Sequence, residues 1–166
     1  MSSRRLLFVL SLFACFVFVF ALLPLELTRA QTSTDPWTAA QTVQAADFAK
    51  ELAGGKSTAT VLFVGFQRLY TAGHIKGAQY HGSGGNAEGL AEIKKWAGSL
   101  PRSTNVVIYC GCCPMERCPN VRPAFSALHE LGFTNVRILI LPTSFAVDWA
   151  EKGFPYDKGQ PLASSK

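Results

Sequence analysis

Three uninterrupted apolar runs rich in β-branched residues constrain what this chain can fold into: TATVLFVGF at 58–66, NVVIYC at 105–110 and VRILIL at 136–141. A strand with one wet face alternates apolar and polar residues, whereas a run without alternation is buried on both faces, as in parallel sheets. Helical patterns lie between the runs. Ala45, Phe48, Ala49 and Leu52 recur at helical spacing and stop at Gly54-Gly55, predicting a helix over 44–53. Leu90, Ile93, Trp96 and Ala97 mark a second; PAFSALHEL has Pro123 in its first turn and Gly132 at its end; SFAVDWAEKG makes a short last helix closed by Gly153 and Pro155. The stretch after the first run is turn-rich, with five glycines from Gly73 to Gly85, and carries a short strand over Ala78–His81. Strands alternating with helices imply an α/β domain of three layers, a parallel sheet with helices on both faces. Ligand sites in such sheets lie beyond the C-terminal ends of the strands.

The N-terminus reads differently. Arg4 and Arg5 precede an 18-residue run from Leu6 to Leu23 whose one polar residue is Ser11, followed by Pro24, Glu26 and a segment ending Thr28-Arg29-Ala30. That is the layout of a secretory signal peptide cleaved after Ala30. An uncleaved anchor is the rival, since 18 residues nearly span a bilayer at about 1.5 Å each. Either outcome puts the rest of the chain outside the cytoplasm, periplasmic or secreted, because the arginines stay inside. Cys15, preceded by Leu12 and Ala14, is no lipoprotein box, since eight apolar residues follow it. The expected organisation is a leader over 1–30, a flexible lead-in over 31–37, one domain over 38–158 and a tail over 159–166.

Charge narrows the partners. Without residues 1–30, which hold Arg4, Arg5, Arg29 and Glu26, 13 basic and 10 acidic residues remain, a net charge of +3. Apart from Lys94-Lys95 the basic residues are scattered singly, which excludes a nucleic-acid footprint. Contact with a membrane is expected through an uncleaved N-terminal segment alone, and the domain is expected to be a monomer. A chain of this length buries about two thirds of its unfolded surface and needs no covalent staple. The cysteines therefore require another explanation.

All four cysteines outside the leader fall within nine residues, Cys110-Gly-Cys112-Cys113-Pro-Met-Glu-Arg117-Cys118. Cys110 ends a predicted strand, and a helix begins near Val121 to Pro123. A thiol at such a junction meets helix-terminal N–H groups and the positive end of the helix dipole, with Arg117 and Arg122 close in sequence, all of which favour thiolate.

VLFVGF, then YTAGHIKGA, then a strand ending in Cys before a loop and a helix ending LGF, then VRILIL and FAVDWAEKGFP together resemble a single rhodanese-like domain from about Trp37 to Pro155. Gly73, His74, Ile75, Gly77 and Ala78, the GHIxGA segment, are the most specific pieces. The resemblance implies a sulfurtransferase in which Cys110 carries a sulfane sulfur as a persulfide. Gly111, Cys112, Cys113 and Arg117 would bind a small sulfur donor and a thiol or other thiophilic acceptor; Cys112, Cys113 and Cys118 would be auxiliary or resolving thiols. It implies no cofactor and no metal. The family's Asp and Arg before the GHI segment are replaced here by Gly65 and Gln67. The family's CxxxxR loop fits Cys112 to Arg117, while strand position assigns the nucleophile to Cys110; the strand is given precedence.

Rivals are weighed on the same loop. A phosphatase of this fold needs CxxxxxR, but the required positions, 111 and 116, hold Gly and Glu. Cys110-Gly-Cys112-Cys113 contains a CxxC suited to thiol–disulfide exchange. Four thiols in CxCCxxxxC order suggest a soft-metal clamp for copper or zinc, although one short loop struggles to set four sulfurs tetrahedrally. The cysteines could also pair, Cys110 or Cys113 with Cys118, merely to pin the loop. His74 is expected to hydrogen-bond a turn, His81 to be a solvated loop residue, His129 to lie on the surface, and Trp96 and Trp149 to fill the core. Gly82 to Gly85 lacks a phosphate-loop Lys-Ser/Thr and reads as a turn.

Overall fold

The computed structural model describes residues 35–55 and 57–159. The expected leader over 1–30 and most of the tail lie outside these residues. Five strands form the main sheet: β1 (Thr42–Gln44), β2 (Thr60–Phe63), β4 (Gln79–Tyr80), β5 (Val106–Tyr109) and β6 (Val136–Ile140). Their order is β1-β6-β5-β2-β4 and every pairing is parallel. A small antiparallel pair, β3 (His74–Ile75) with β7 (Tyr156–Asp157), stands apart. The helices are α1 (Ala45–Ala53), α2 (Gln67–Ala72), α3 (Ala87–Gly98) and α4 (Val121–Glu130), with a π-helical turn at Ala146–Ala150. No helix among the described residues is long and apolar enough to cross a membrane.

The period of two along each strand divides the core. Leu62, Val106, Ile108 and Ile138 face one way and pack with Ile93 and Ala97 of α3 and with Val121, Ala124, Phe125 and Leu128 of α4. Val61, Phe63, Val107, Tyr109 and Leu139 face the other way, onto Phe48 and Ala49 of α1, Tyr70 of α2 and Trp149. Both faces are covered, as the unbroken apolar runs require. Cys110 continues the parity of Val106 and Ile108, so its side chain belongs to the layer beneath α3 and α4.

Local chemistry sets the helix ends. Asn86 caps α3 by accepting the Gly89 N–H at 2.7 Å. Gly132, at φ 85°, takes the chain out of α4 through the left-handed region, as its position predicted. Three elements differ from expectation. The first strand stops at Phe63, where Val64 and Gly65 lead into α2, a helix that the glycine-rich composition concealed. The edge strand β1 has three residues, too few for a periodic signal. The last helix is wound as a π turn, held by the Trp149 indole N–H donating to Pro155 O at 2.9 Å.

Trp37, assigned by its sequence position to a lead-in, is buried. It packs edge-on against Phe125 with centroids 5.6 Å apart, under the guanidinium of Arg122. Arg122 also reaches Asp35 at 2.7 Å, fixing the start of the described chain to α4. Trp96 is half-buried at the rim of the core, where its ring stacks on His81 at 4.6 Å. His81 is accordingly half-buried rather than solvated, and desolvation lowers its pKa. Trp149 is fully buried and His129 is exposed, as expected.

Candidate active site: a cysteine cluster at the end of the central strand

Strand β5 lies in the middle of the sheet, and Cys110 follows its last residue. From there the chain makes a loop, passes through a 3-10 turn at Met115–Arg117 and enters α4. Gly111 opens the loop at φ 67°, a conformation that disfavours a side chain. A Cβ there would also stand 2.6 Å from Phe145 Cβ. Phe145 N–H donates to Gly111 O at 3.0 Å, tying the loop to the segment after β6. The loop is therefore held at its first residue by the segment after β6.

The loop folds its sulfurs together. Cys110 and Cys112 Sγ are 3.0 Å apart, and Cys112 and Cys113 Sγ are 3.2 Å apart. The sulfurs of Cys110, Cys112 and Cys118 all lie within 4.8 Å of one another, with Cys110 and Cys118 buried and Cys112 half-exposed. Among the described residues the four loop cysteines are free thiols.

Backbone and side-chain donors are distributed unequally over these sulfurs. The hydrogen bond from Cys110, aided by the main-chain N–H groups of Asn120 and Val121 at the start of α4, outweighs burial and holds the Cys118 pKa down to about 5. The Cys110 thiol is pushed up by giving its hydrogen bond to Cys118 and by burial, opposed by the Cys112 N–H. Burial and the neighbouring sulfurs push Cys113 up to about 12. The helix-start groups expected to create a thiolate therefore serve Cys118 first, and Cys110 is joined to that charge through a shared proton.

Asn120 is the residue that sequence reasoning missed. It is fully buried at the N-terminus of α4, a position where Asn ordinarily caps its own helix. Here it makes no such cap. Its Nδ2 donates to Cys110 Sγ at 3.3 Å and Cys112 Sγ at 3.5 Å, and its Oδ1 accepts from the Ser83 hydroxyl at 2.9 Å. Ser83 sits in the glycine turn that the sequence left without a role. A Cβ on Gly84 would run into Asn120 O, and one on Gly85 would stand 2.5 Å from Asn120 Oδ1. These glycines admit the close approach of the turn to the loop. The signal available in sequence was an Asn directly before an apolar helix, which points to a cap and not to a sulfur.

Other predicted residues fall as follows. Arg117 is exposed on the 3-10 turn beside Cys118. Arg122 faces away from the role expected of it: it donates to Met115 O at 3.3 Å and Cys118 O at 3.2 Å and pairs with Asp35, bracing the loop backbone. Gly65 packs directly under the site, since a Cβ there would meet Cys110 Sγ at 3.0 Å and Phe63 Cζ at 2.6 Å. An aspartate at position 65, which the family resemblance implies there, has no room in this arrangement. His74 is buried, its Nδ1 is 2.8 Å from Tyr70 O, and its ring stacks on Tyr70 at 3.8 Å. Ile75 N–H donates to the Tyr109 hydroxyl at 2.9 Å, so the GHI segment braces the end of β5.

No protein-family model matches the chain, and no curated protein does. Solved structures do. The Alr3790 protein from Anabaena is 23% identical over 70% of this chain and 80% of its own, with a TM-score of 0.54. The rhodanese-like domain of that protein, solved by NMR, is 20% identical over 76% and 88%, with a TM-score of 0.53. A thiosulfate sulfurtransferase from Pseudomonas aeruginosa is 22% identical over 74% of this chain but 20% of its own length, with a TM-score of 0.53. The parallel sheet, the helices on its two faces and the cysteine after the central strand thus belong to a chain with the rhodanese-like fold.

Proposed function

We propose that this chain is a sulfurtransferase that carries a sulfane sulfur as a persulfide on Cys110, acting outside the cytoplasm behind the leader of residues 1–30. The observation that carries the reading is the place of Cys110. It directly follows the central strand of a rhodanese-like sheet, its sulfur accepting from Asn120 and grouped with those of Cys112 and Cys118.

The arrangement suits sulfur transfer. Cys110 Sγ attacks the outer sulfur of a donor such as thiosulfate while its proton passes to the Cys118 thiolate. The donor S–S bond breaks, and sulfite leaves with the bonding electron pair. An acceptor thiolate then takes the terminal sulfur, and Cys110 departs as a thiolate and recovers its proton from Cys118. Arg117, exposed at the mouth of the loop, meets the anionic donor. Where no acceptor arrives, the Cys112 thiolate attacks Cys110 Sγ, expels hydrosulfide and leaves a Cys110–Cys112 disulfide.

The test is intact mass of the reduced protein after exposure to thiosulfate, with peptide mapping. The expected result is a gain of one sulfur atom on Cys110, removed by dithiothreitol and absent in Cys110→Ser. Full loading of Cys110→Ser would remove Cys110 from the carrier role, and loss of loading in Cys112→Ser alone would move that role to Cys112.

A further inference from the structure

We infer that the sulfurs of Cys110, Cys112 and Cys118 also form a three-coordinate site for a soft monovalent cation, Cu(I). This goes beyond sulfur transfer, because it requires neither donor nor acceptor.

Three sulfurs stand within 4.8 Å of one another, and the set includes no carboxylate and no imidazole. All-thiolate sets select soft cations, and a set of three suits a cation content with three ligands. A structural zinc ion asks for four ligands in a tetrahedron. Cys113 Sγ touches Cys112 Sγ at 3.2 Å and neighbours Cys118, but lies outside the mutually close set of three. The difficulty of setting four sulfurs from one loop is thus met by gathering three.

Geometry agrees. With metal–sulfur distances of about 2.3 Å, three sulfurs in a plane around one ion stand about 4 Å apart. The present sulfurs bracket that spacing, from 3.0 Å for Cys110–Cys112 to within 4.8 Å for the set. Binding needs the closest pair to open by about 1 Å, and Cys112 sits on the half-exposed loop where such movement is cheap.

A shell of donors surrounds the sulfurs. Asn120 Nδ2 reaches two of them, the Cys112 N–H points to Cys110, and the N–H groups of Asn120 and Val121 point to Cys118. Such outer hydrogen bonds orient metal-binding thiolates and temper their charge. The ion enters at Cys112, while Cys110 and Cys118 hold it from within. Copper replaces thiol protons, which leave to water, and no electron is exchanged.

The experiment is an anaerobic titration of the reduced full-length protein with Cu(I), using bathocuproine disulfonate as competitor and no sulfur donor present. One copper per chain is expected, with three sulfur neighbours and no nitrogen or oxygen in X-ray absorption. Cys118→Ser should weaken binding at least tenfold and leave two sulfurs. Should that buried substitution unfold the domain, Cys112→Ser gives the same reading, whereas Cys113→Ser should keep three sulfurs. Absence of binding, a two-sulfur site in the unsubstituted protein, loss of a sulfur in Cys113→Ser, or equal preference for Zn(II) would each overturn the assignment. Persulfide loading measured without copper is a separate readout, so failure of either reading leaves the other standing.

Discussion

Asn120 Nδ2 stands 3.3 Å from Cys110 Sγ, and both groups are buried. A helix-start asparagine has been diverted from its own backbone to a sulfur, while the main-chain N–H groups of Asn120 and Val121 meet the Cys118 sulfur. Strand end, helix start and glycine turn are thereby joined through one amide.

Removing that amide should unfasten the cluster. Asn120→Ala leaves the Ser83 hydroxyl without its acceptor and two sulfurs without a donor. A loss of about 1–3 kcal/mol is expected in urea unfolding. Sulfur loading should fall beyond what unfolding accounts for, which rate measurements well below the unfolding midpoint would show. Asn120→Asp should fall further in loading, because a carboxylate beside the sulfurs opposes thiolate formation.

Space at the glycine turn makes a sharper test. Gly84→Ala places a methyl group against Asn120 O, a backbone atom with no freedom to swing aside. The expected cost is about 1–3 kcal/mol, from overpacking. Gly98→Ala, with nothing within 4 Å of its Cβ, is the control and should be neutral or mildly stabilising. Equal thermal midpoints for the two variants would contradict the close approach.

Acidity should show in alkylation kinetics. Cys118, held down to about 5 chiefly by the hydrogen bond from Cys110, is the most acidic thiol of the cluster. Iodoacetamide labelling of the loop should decline as pH falls through about 5, and Cys118→Ser should move the inflection upward toward the ordinary thiol range. The linkage has the sign of a depressed acid. Its contribution to stability is fully present above the unfolded thiol value of about 8.5 and is lost as pH falls toward about 5. Cys113 runs the other way, since its pKa is raised to about 12 and its contribution is lost as pH rises through the alkaline range. Chemical denaturation from pH 5 to 11 on Cys118→Ser and Cys113→Ser separates the two.

The buried Trp37 predicts that truncation before residue 38 is costly. Trp37→Ala removes the edge contact with Phe125 and the ring beneath Arg122, and should lose about 3–5 kcal/mol. Thermal unfolding of this variant, beside one shortened to begin at Asp35, measures the effect.

The sequence by itself determined the layers and the address of the site. Runs such as NVVIYC are too apolar to have a wet face, so they demanded a sheet covered on both sides, and the helical spacing of α1, α3 and α4 supplied the covers. The same reasoning put Cys110 at a strand end and the thiols at a strand-to-helix junction. Short elements escaped it. β1 and the β3–β7 pair are held by partners distant in the chain, and α2 hid in a stretch whose glycines read as turns.

Tertiary structure alone decided how the sulfurs divide their roles. Which thiol is made acidic depends first on the Cys110–Cys118 hydrogen bond and then on which sulfur meets the N–H groups of α4, and the loop turns Cys118 toward both while leaving Cys110 under Asn120. That Ser83, 37 residues before Asn120, packs with Gly84 and Gly85 on the loop follows from β4 lying beside β2. Hydrogen bonds and close approaches between such distant segments leave no periodic trace in a sequence. They arise from the register of the sheet, which brings the strand ends to a common edge.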